Sequence, residues 1–512
     1  MKREERVGYS LPVRWGLPVL LALAWALRAV LAWRGGQFYF PDEARYFRSH
    51  ELLRYFWFPN AYPSPFDELL SHPEHIGYVA IGTVAEALRY LGGALMGLPD
   101  YSAVRPESPF WLSAALLGGA SVGSIGLIYA LAIRAGADRI EALFAALLAA
   151  CSTSLFYYSR HLVPYDSALA LALLAAWVGI HPRPRPSLSI LVGMLAGLAF
   201  LTYNGYWLSG AIAIGLHLAY RRATLPRMAL RAALSGIGLT IPFLALSVLT
   251  TLRDAPSLYE SLGAFATTVT QGAFSEGWTF PWEYLWHAEH GLLLAWLLGV
   301  LGVCLGLWRG WPAARTRGLL WLAAATGIYL LLALGSAVLE EFVIYGRLAR
   351  QLAPYLCLAT AYAAHQLWLR GKPGRVAVGA ACGLVALQFG LNLVPVYQQR
   401  FPGDLERASA PYAPLFRDST LEGCCGSFDS DNFYRQGIPS DGGFDPRYVL
   451  LNTSYLYPVY GSRPRFEGRE ILVAAHPIQF LPYQYESYNP DERATFRAAD
   501  VRMRLLERGP AP

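Results

Sequence analysis

Residues 110–185 read FWLSAALLGGASVGSIGLIYALAIRAGADRIEALFAALLAACSTSLFYYSRHLVPYDSALALALLAAWVGIHPRPR, and the placement of their charges decides the fold. Three apolar runs, about 110 to 133, 141 to 158 and 163 to 180, are parted by Arg134 and Arg139, then by Arg160, His161 and Asp166, and closed by Arg183 and Arg185. About 20 apolar residues in a helix cross a hydrocarbon core of about 30 Å. Alternation of arginine-rich and arginine-poor connections then describes a chain folded back and forth across a bilayer.

Working outward, eight further runs repeat the pattern at about 15 to 33, 187 to 203, 205 to 220, 228 to 250, 290 to 308, 318 to 338, 351 to 369 and 376 to 396, which makes eleven in all. One set of connections carries about 17 Lys and Arg, and the short loops of the other set carry 4, Arg160, Arg253, Arg347 and Arg350. Such a bias places the N-terminus in the cytoplasm and, after an odd number of spans, the C-terminus outside. The sequence therefore predicts an all-α polytopic protein of the cytoplasmic membrane with three large outer pieces: a loop at 34–109, a loop at 253–289 and a tail at 397–512. The first loop reads as two helices lying at the membrane surface, at 42 to 58 and 75 to 96. In the tail, short apolar runs at 448 to 451 and 471 to 474 read as strands. Asn489-Pro490-Asp491-Glu492 reads as a helix start, with proline at the first helical position. The domain division follows: 1–396 as the membrane domain with its outer loop, and 397–512 as a small α/β domain outside.

Composition excludes the main soluble classes. Of 512 residues 54% are hydrophobic and only 15% charged, against about 25% charged in a soluble domain. Six cysteines, four of them inside apolar runs, make neither a disulfide scaffold nor a zinc motif, and Cys424-Cys425 is left as either a vicinal disulfide or two thiols. The net charge of +6 is almost all arginine, since Lys2 and Lys372 are the two lysines. These arginines sit in short clusters between apolar runs rather than in a basic patch with aromatics, so nucleic acid is not a partner.

Four groups of residues could carry chemistry. Asp42-Glu43, in Phe40-Pro41-Asp42-Glu43-Ala44-Arg45-Tyr46, opens an outer helix just after the first span. Two readings fit it: acids stabilising a helix N-terminus, or a general base held at the outer mouth of the bundle. Asp166 stands at the outer end between the third and fourth spans; it either anchors the turn through Arg160 or belongs to a site, because an ionisable group at the edge of the apolar slab is costly. Arg347 begins the tenth span from outside and either snorkels to headgroups or grips a phosphate with two N–H groups at once. His72, His75, His287, Glu289 and His290 could hold a divalent metal or make interfacial hydrogen bonds; the sequence requires no metal or other cofactor.

In order and sidedness these residues resemble the polytopic GT-C glycosyltransferases, in particular the family of bacterial protein O-mannosyltransferases and the lipid A aminoarabinose transferase. The resemblance rests on Asp42-Glu43-Ala44-Arg45-Tyr46, on His72-Pro73, on the stretch from Ser159-Arg160 to Asp166, and on the stretch from Arg347 to Pro354. It also rests on a glycine-rich span, from Gly193, that ends Leu201-Thr202-Tyr203, where the family has a Thr-Lys pair. It covers roughly residues 15 to 396. The resemblance implies transfer of a sugar, with inversion, from a polyprenyl-phosphate donor to a protein, lipid or glycan acceptor at the outer face, by a chain expected to act as a monomer. It implies Asp42 as base, with Glu43 and Asp166 beside it, Arg347, Arg160 and Arg350 on the donor phosphate, and Arg45, Tyr46 and His72 in the substrate site. The rival reading is a transporter or flippase of lipid-linked sugars, which predicts charges at mid-span and matching broken helices in two halves.

Overall fold

The computed structural model describes residues 11–34, helical positions scattered between 70 and 87, and residues 110–160, 163–182, 185–220, 224–270, 278–312, 314–339, 346–398, 421–424, 448–452, 469–473 and 503–507. Its longer helices are α1 (Leu11–Arg34), α2 (Phe110–Arg134), α3 (Arg139–Ala150), α4 (Tyr165–Gly179), α5 (Pro186–Thr202), α6 (Trp207–Ala219), α7 (Leu225–Leu252), α8 (Leu258–Thr270), α9 (Phe280–Trp308), α10 (Leu319–Ala337), α11 (Ala353–Trp368) and α12 (Lys372–Gln398). Each of the eleven apolar runs lies on one of them.

Among the described residues six helices are by themselves long and apolar enough to cross a membrane, with a seventh if α3 and its bent continuation Thr153–Ser159 are one span. Helices α4 and α5 are apolar but shorter. Regular helix gives way to tight turns at one end of the bundle: Tyr157–Arg160 before α4, Asn204–Tyr206 after α5, and Arg350–Leu352 before α11. Irregular backbone at such depth persists only where protein buries it or a cavity needs it. The loop expected at 253–289 contains α8 and the start of α9. Pro281 sits in the first turn of α9, where its missing N–H costs nothing, and Tyr284, Leu285 and Ala288 bury the face that follows. At His290 the helix is broken by a positive φ of 21°.

Hydrogen bonds sort the connections to two ends. At one, Arg134 donates to the Trp177 carbonyl at 2.7 Å, Tyr220 donates to the Arg134 carbonyl at 3.3 Å, and Arg317 donates to Glu141 at 3.0 Å. These residues flank the arginine-rich loops. At the other end, Arg347 donates to the Tyr165 hydroxyl at 2.9 Å, Gln351 to the Gly205 carbonyl at 3.1 Å, and Ser152 to Glu289 at 2.6 Å. That is the end from which the loop at 34–109 departs.

Packing between spans follows small residues. A Cβ on Gly193 would fall on the Ser235 carbonyl, and one on Gly238 on the Ile190 carbonyl, so the backbones of α5 and α7 touch. This is the small-residue contact that membrane helices use in place of a hydrophobic drive. The outward faces of α7 and α12 stay apolar, with Ile237, Ile241, Leu244, Leu384, Leu387 and Leu391 all exposed, as a lipid boundary requires. Part of the first loop packs on this frame: Leu70 shares a buried cluster with Leu201, Leu246 and Leu258, and a Cβ on Gly77 would strike the backbone of Thr202.

In the tail four strands, β1 (Leu421–Cys424), β2 (Tyr448–Asn452), β3 (Arg469–Val473) and β4 (Met503–Glu507), form one sheet in the order β1-β2-β4-β3. Strands β1 and β2 run parallel and the other pairs antiparallel. Two of the four, β2 and β3, are the strands read from sequence; the helix start at 489–492 lies outside the described residues.

Candidate active site

The turns at the loop-bearing end bring Arg350 to one buried acid, with Arg28 of α1 close by. Asp166, in the first turn of α4, is 4% exposed, and Arg350, in the turn before α11, is fully buried. The Arg350 Nη2 donates to Asp166 Oδ1, and the guanidinium lies over the Tyr158 ring at 4.9 Å. Among the described residues its Nε and Nη1 have no partner. Arg28 comes from α1 and is also buried; its Nε donates to Ser121 Oγ at 3.0 Å and its Nη1 to the Ala24 carbonyl at 3.0 Å, leaving Nη2 without one among the described residues. Arg28 interacts electrostatically with both Asp166 and Arg350. Arg347, half-buried, stands over the rings of Tyr165 at 5.5 Å and Tyr203 at 5.8 Å.

A tyrosine row walls the charges. Ring centroids run from Tyr157 to Tyr158 at 5.1 Å, Tyr158 to Tyr165 at 5.1 Å, Tyr165 to Tyr203 at 4.6 Å and Tyr203 to Tyr206 at 5.6 Å. Gln351 locks two of the turns together, accepting from the Ser209 N–H at 3.1 Å and its hydroxyl at 2.6 Å while donating to Gly205 and Leu348 carbonyls, both at 3.1 Å. Beside these ties sits Asn204, 7% exposed, whose side-chain nitrogen and oxygen both lack a partner among the described residues. Among the described residues Asp166 is the carboxylate that faces the two buried guanidiniums, Arg28 and Arg350. A buried cation without a counter-charge is costly, and the idle N–H groups of Arg28 and Arg350 suit an anion. Arginine's donor geometry suits phosphate oxygens.

Of the residues singled out by sequence, the structure joins Asp166, Arg347 and Arg350. Asp166 takes Arg350 as its partner. Arg160 lies in the adjoining Tyr157–Arg160 turn, its side chain outside the described residues. Asp42, Glu43, Arg45, Tyr46, His72 and His75 lie outside the described residues. The proposed metal ligands do not converge where they are described: Glu289 accepts from Ser152 Oγ at 2.6 Å, Thr153 N at 3.0 Å and Ser154 N at 2.8 Å and is fully buried, whereas His290 is exposed. No group of three metal-binding side chains occurs among the described residues. The carboxylate instead caps the one-turn helix Thr153–Phe156, and with Asn392 donating to Thr153 Oγ1 at 3.0 Å it pins the segment that carries Tyr157 and Tyr158.

Sequence reading missed Arg28, Asn204, Gln351 and the tyrosine row. Tyrosines at helix ends read equally well as an interfacial aromatic belt, and an arginine late in a span reads as a snorkelling anchor. The signal available was position: Tyr157, Tyr158, Tyr165, Tyr203 and Tyr206 fall at the ends of four consecutive spans on one side.

No protein-family model and no curated protein matches the chain. Among solved structures, ArnT from Cupriavidus metallidurans in the apo state aligns over 98% of this chain and 100% of its own at a TM-score of 0.56 and 14% identity. The chain has the fold of ArnT. The same protein bound to undecaprenyl phosphate aligns over the same shares, with a TM-score of 0.55 and 14% identity. At such identity the likeness speaks for architecture: a multi-pass membrane bundle, matched over nearly the whole of both chains.

Proposed function

We propose that this chain is a glycosyltransferase of the cytoplasmic membrane that moves one sugar from a polyprenyl-phosphate donor to a hydroxyl of a protein, lipid or glycan at the outer face. The observation that carries the reading is the pair of buried guanidiniums, Arg28 and Arg350, with idle N–H groups beside Asp166 at the loop-bearing end. A solved structure of the same fold with undecaprenyl phosphate bound supports it.

In this reading the acceptor oxygen attacks the anomeric carbon as the bond from that carbon to the phosphate oxygen breaks, and the configuration inverts. The acceptor proton passes to the Asp42 carboxylate, with Glu43 beside it, and the bonding pair leaves on the prenyl phosphate. Arg347 meets that phosphate, with Arg160 and Arg350 supporting, because preorganised charge at a developing anion is the dominant catalytic term at such a leaving group. Asp166 holds Arg350 in place. Arg45, Tyr46 and His72 belong to the substrate site on the first loop. The arginine-rich end faces the cytoplasm, residues 397–512 stand outside as a domain, and the chain works as a monomer without a required cofactor. A nucleotide-sugar loop has no role, since the donor is a lipid.

The test is binding of undecaprenyl phosphate to purified protein in lipid nanodiscs. Wild type binds, and Arg347→Ala weakens binding by about tenfold or more, the loss of a charge-assisted contact of about 1.5–3 kcal/mol. Equal binding by a folded Arg347→Ala variant would sink the assignment of that arginine, and no binding by wild type would sink the donor class.

A further inference from the structure

The turn Asn204–Tyr206 joins α5 to α6 and is tied just after its first residue to the segment Gly346–Leu352. Gln351 donates to the Gly205 carbonyl at 3.1 Å, and the Tyr206 hydroxyl donates to the Arg347 carbonyl at 3.4 Å. The preceding residue, Tyr203, lies within the field of Arg347, its ring 5.8 Å from the guanidinium. Asn204 itself makes none of these ties. Its carboxamide is more than nine-tenths buried, and neither Nδ2 nor Oδ1 has a partner among the described residues.

Buried amides are nearly always hydrogen-bonded, and an orphaned one calls for an explanation. Here the rest of the turn is satisfied and only the Asn204 side chain is idle. A carboxamide offers one acceptor and two donors in a plane, which matches neighbouring hydroxyls of a sugar ring, each able to give and to receive. Aromatic faces beside a few fixed polar groups are the usual build of a small-ligand site, and Tyr203 and Tyr206 flank the amide in sequence.

We propose that Asn204 reads the glycosyl group of the donor, hydrogen-bonding ring hydroxyls while Arg347 holds the phosphate. This rests on the donor reading above and extends it from the phosphate to the sugar. A site whose buried polar groups are built to bond a hydroxyl penalises any ligand that leaves them empty. Asn204 therefore favours glycosylated lipid over bare prenyl phosphate.

The experiment compares undecaprenyl phosphate with undecaprenyl-phosphate hexose and pentose conjugates, titrated into full-length wild type and into Asn204→Leu in nanodiscs, with Tm recorded for each protein. Expected is a wild type that binds a glycosylated lipid more tightly than bare undecaprenyl phosphate, by about tenfold for a pair of hydrogen bonds. In Asn204→Leu that preference disappears, affinity for bare undecaprenyl phosphate stays the same, and Tm holds or rises because an idle buried amide has been replaced by an apolar group. A preference that survives in Asn204→Leu overturns the proposal, as does a wild type with no preference, which leaves the phosphate reading standing. A fall in Tm for both Asn204→Leu and Asn204→Ser marks the amide as structural and overturns it as well. Failure of wild type to bind undecaprenyl phosphate at all removes the donor reading and this inference with it.

Discussion

Arg350 and Arg347 sit three residues apart and carry different burdens. Arg350 is fully buried and bound to Asp166, so Arg350→Ala leaves a buried carboxylate alone and is expected to cost about 3–5 kcal/mol of stability. Arg347 is only half-buried, and its loss is expected to leave thermal unfolding nearly unchanged while donor binding falls. Unfolding of the two variants in detergent, read beside undecaprenyl phosphate binding, separates the roles. At the opposite end Asp138 caps α3, accepting from Ile140 N at 3.0 Å and Glu141 N at 2.9 Å, and pairs with His365 at 2.8 Å. Burial pushes the Asp138 carboxyl up, yet the bonds from His365 and the two N–H groups hold it below the usual carboxylate range. A carboxyl depressed by folding adds stability above its unfolded value, about 3.9, and loses it as pH falls through the folded one. Asp138→Ala is thus expected to cost about 1–2 kcal/mol near neutrality and progressively less below about pH 4. A cost independent of pH would mean that the cap acts without its charge.

At the scale of elements, the spans were legible because apolar length is a one-dimensional signal. The ends of the spans were not. Ser152 to Arg160 reads as the tail of one apolar run, yet α3 stops at Ala150 and the chain bends by 71° into Thr153–Ser159. The cause is Glu289, 135 residues away from Ser154 in sequence, whose carboxylate satisfies the new N-terminus; its sequence neighbours offered only a loose metal motif. The same limit hid the Asp166 partner, since Arg160 is adjacent in sequence and Arg350 is adjacent in space. If the Glu289 cap positions Tyr158 beneath Arg350, Glu289→Ala lowers both Tm and transfer activity, whereas Glu289→Gln, which keeps one carbonyl acceptor, restores part of each. Activity unaffected by Glu289→Ala would detach that clamp from the site. The glycine-rich α5 was visible in sequence without its purpose, which is backbone contact with α7 at Gly193 and Gly238. Gly238→Leu is expected to abolish accumulation of monodisperse protein, measured by size-exclusion chromatography after membrane extraction.

The whole molecule divides its labour by face. Arginine clusters and the Asp138, Glu141, Arg317 and His365 network occupy one end, while Asp166, Arg28, Arg350, Arg347, Asn204 and the tyrosines occupy the other. Charge counts along the sequence predict the same division of ends. Reporter fusions after residue 398 are expected to show alkaline phosphatase activity and no cytoplasmic fluorescence; the reverse pattern would invert the topology. The central claim is sugar transfer from a lipid phosphate, and the most direct measurement follows radiolabel from polyprenyl-phosphate sugars into membrane acceptors, for wild type and Asp42→Asn at matched expression. The account predicts transfer by wild type and its loss in the variant. Absence of transfer from every donor by well-folded wild type would contradict it.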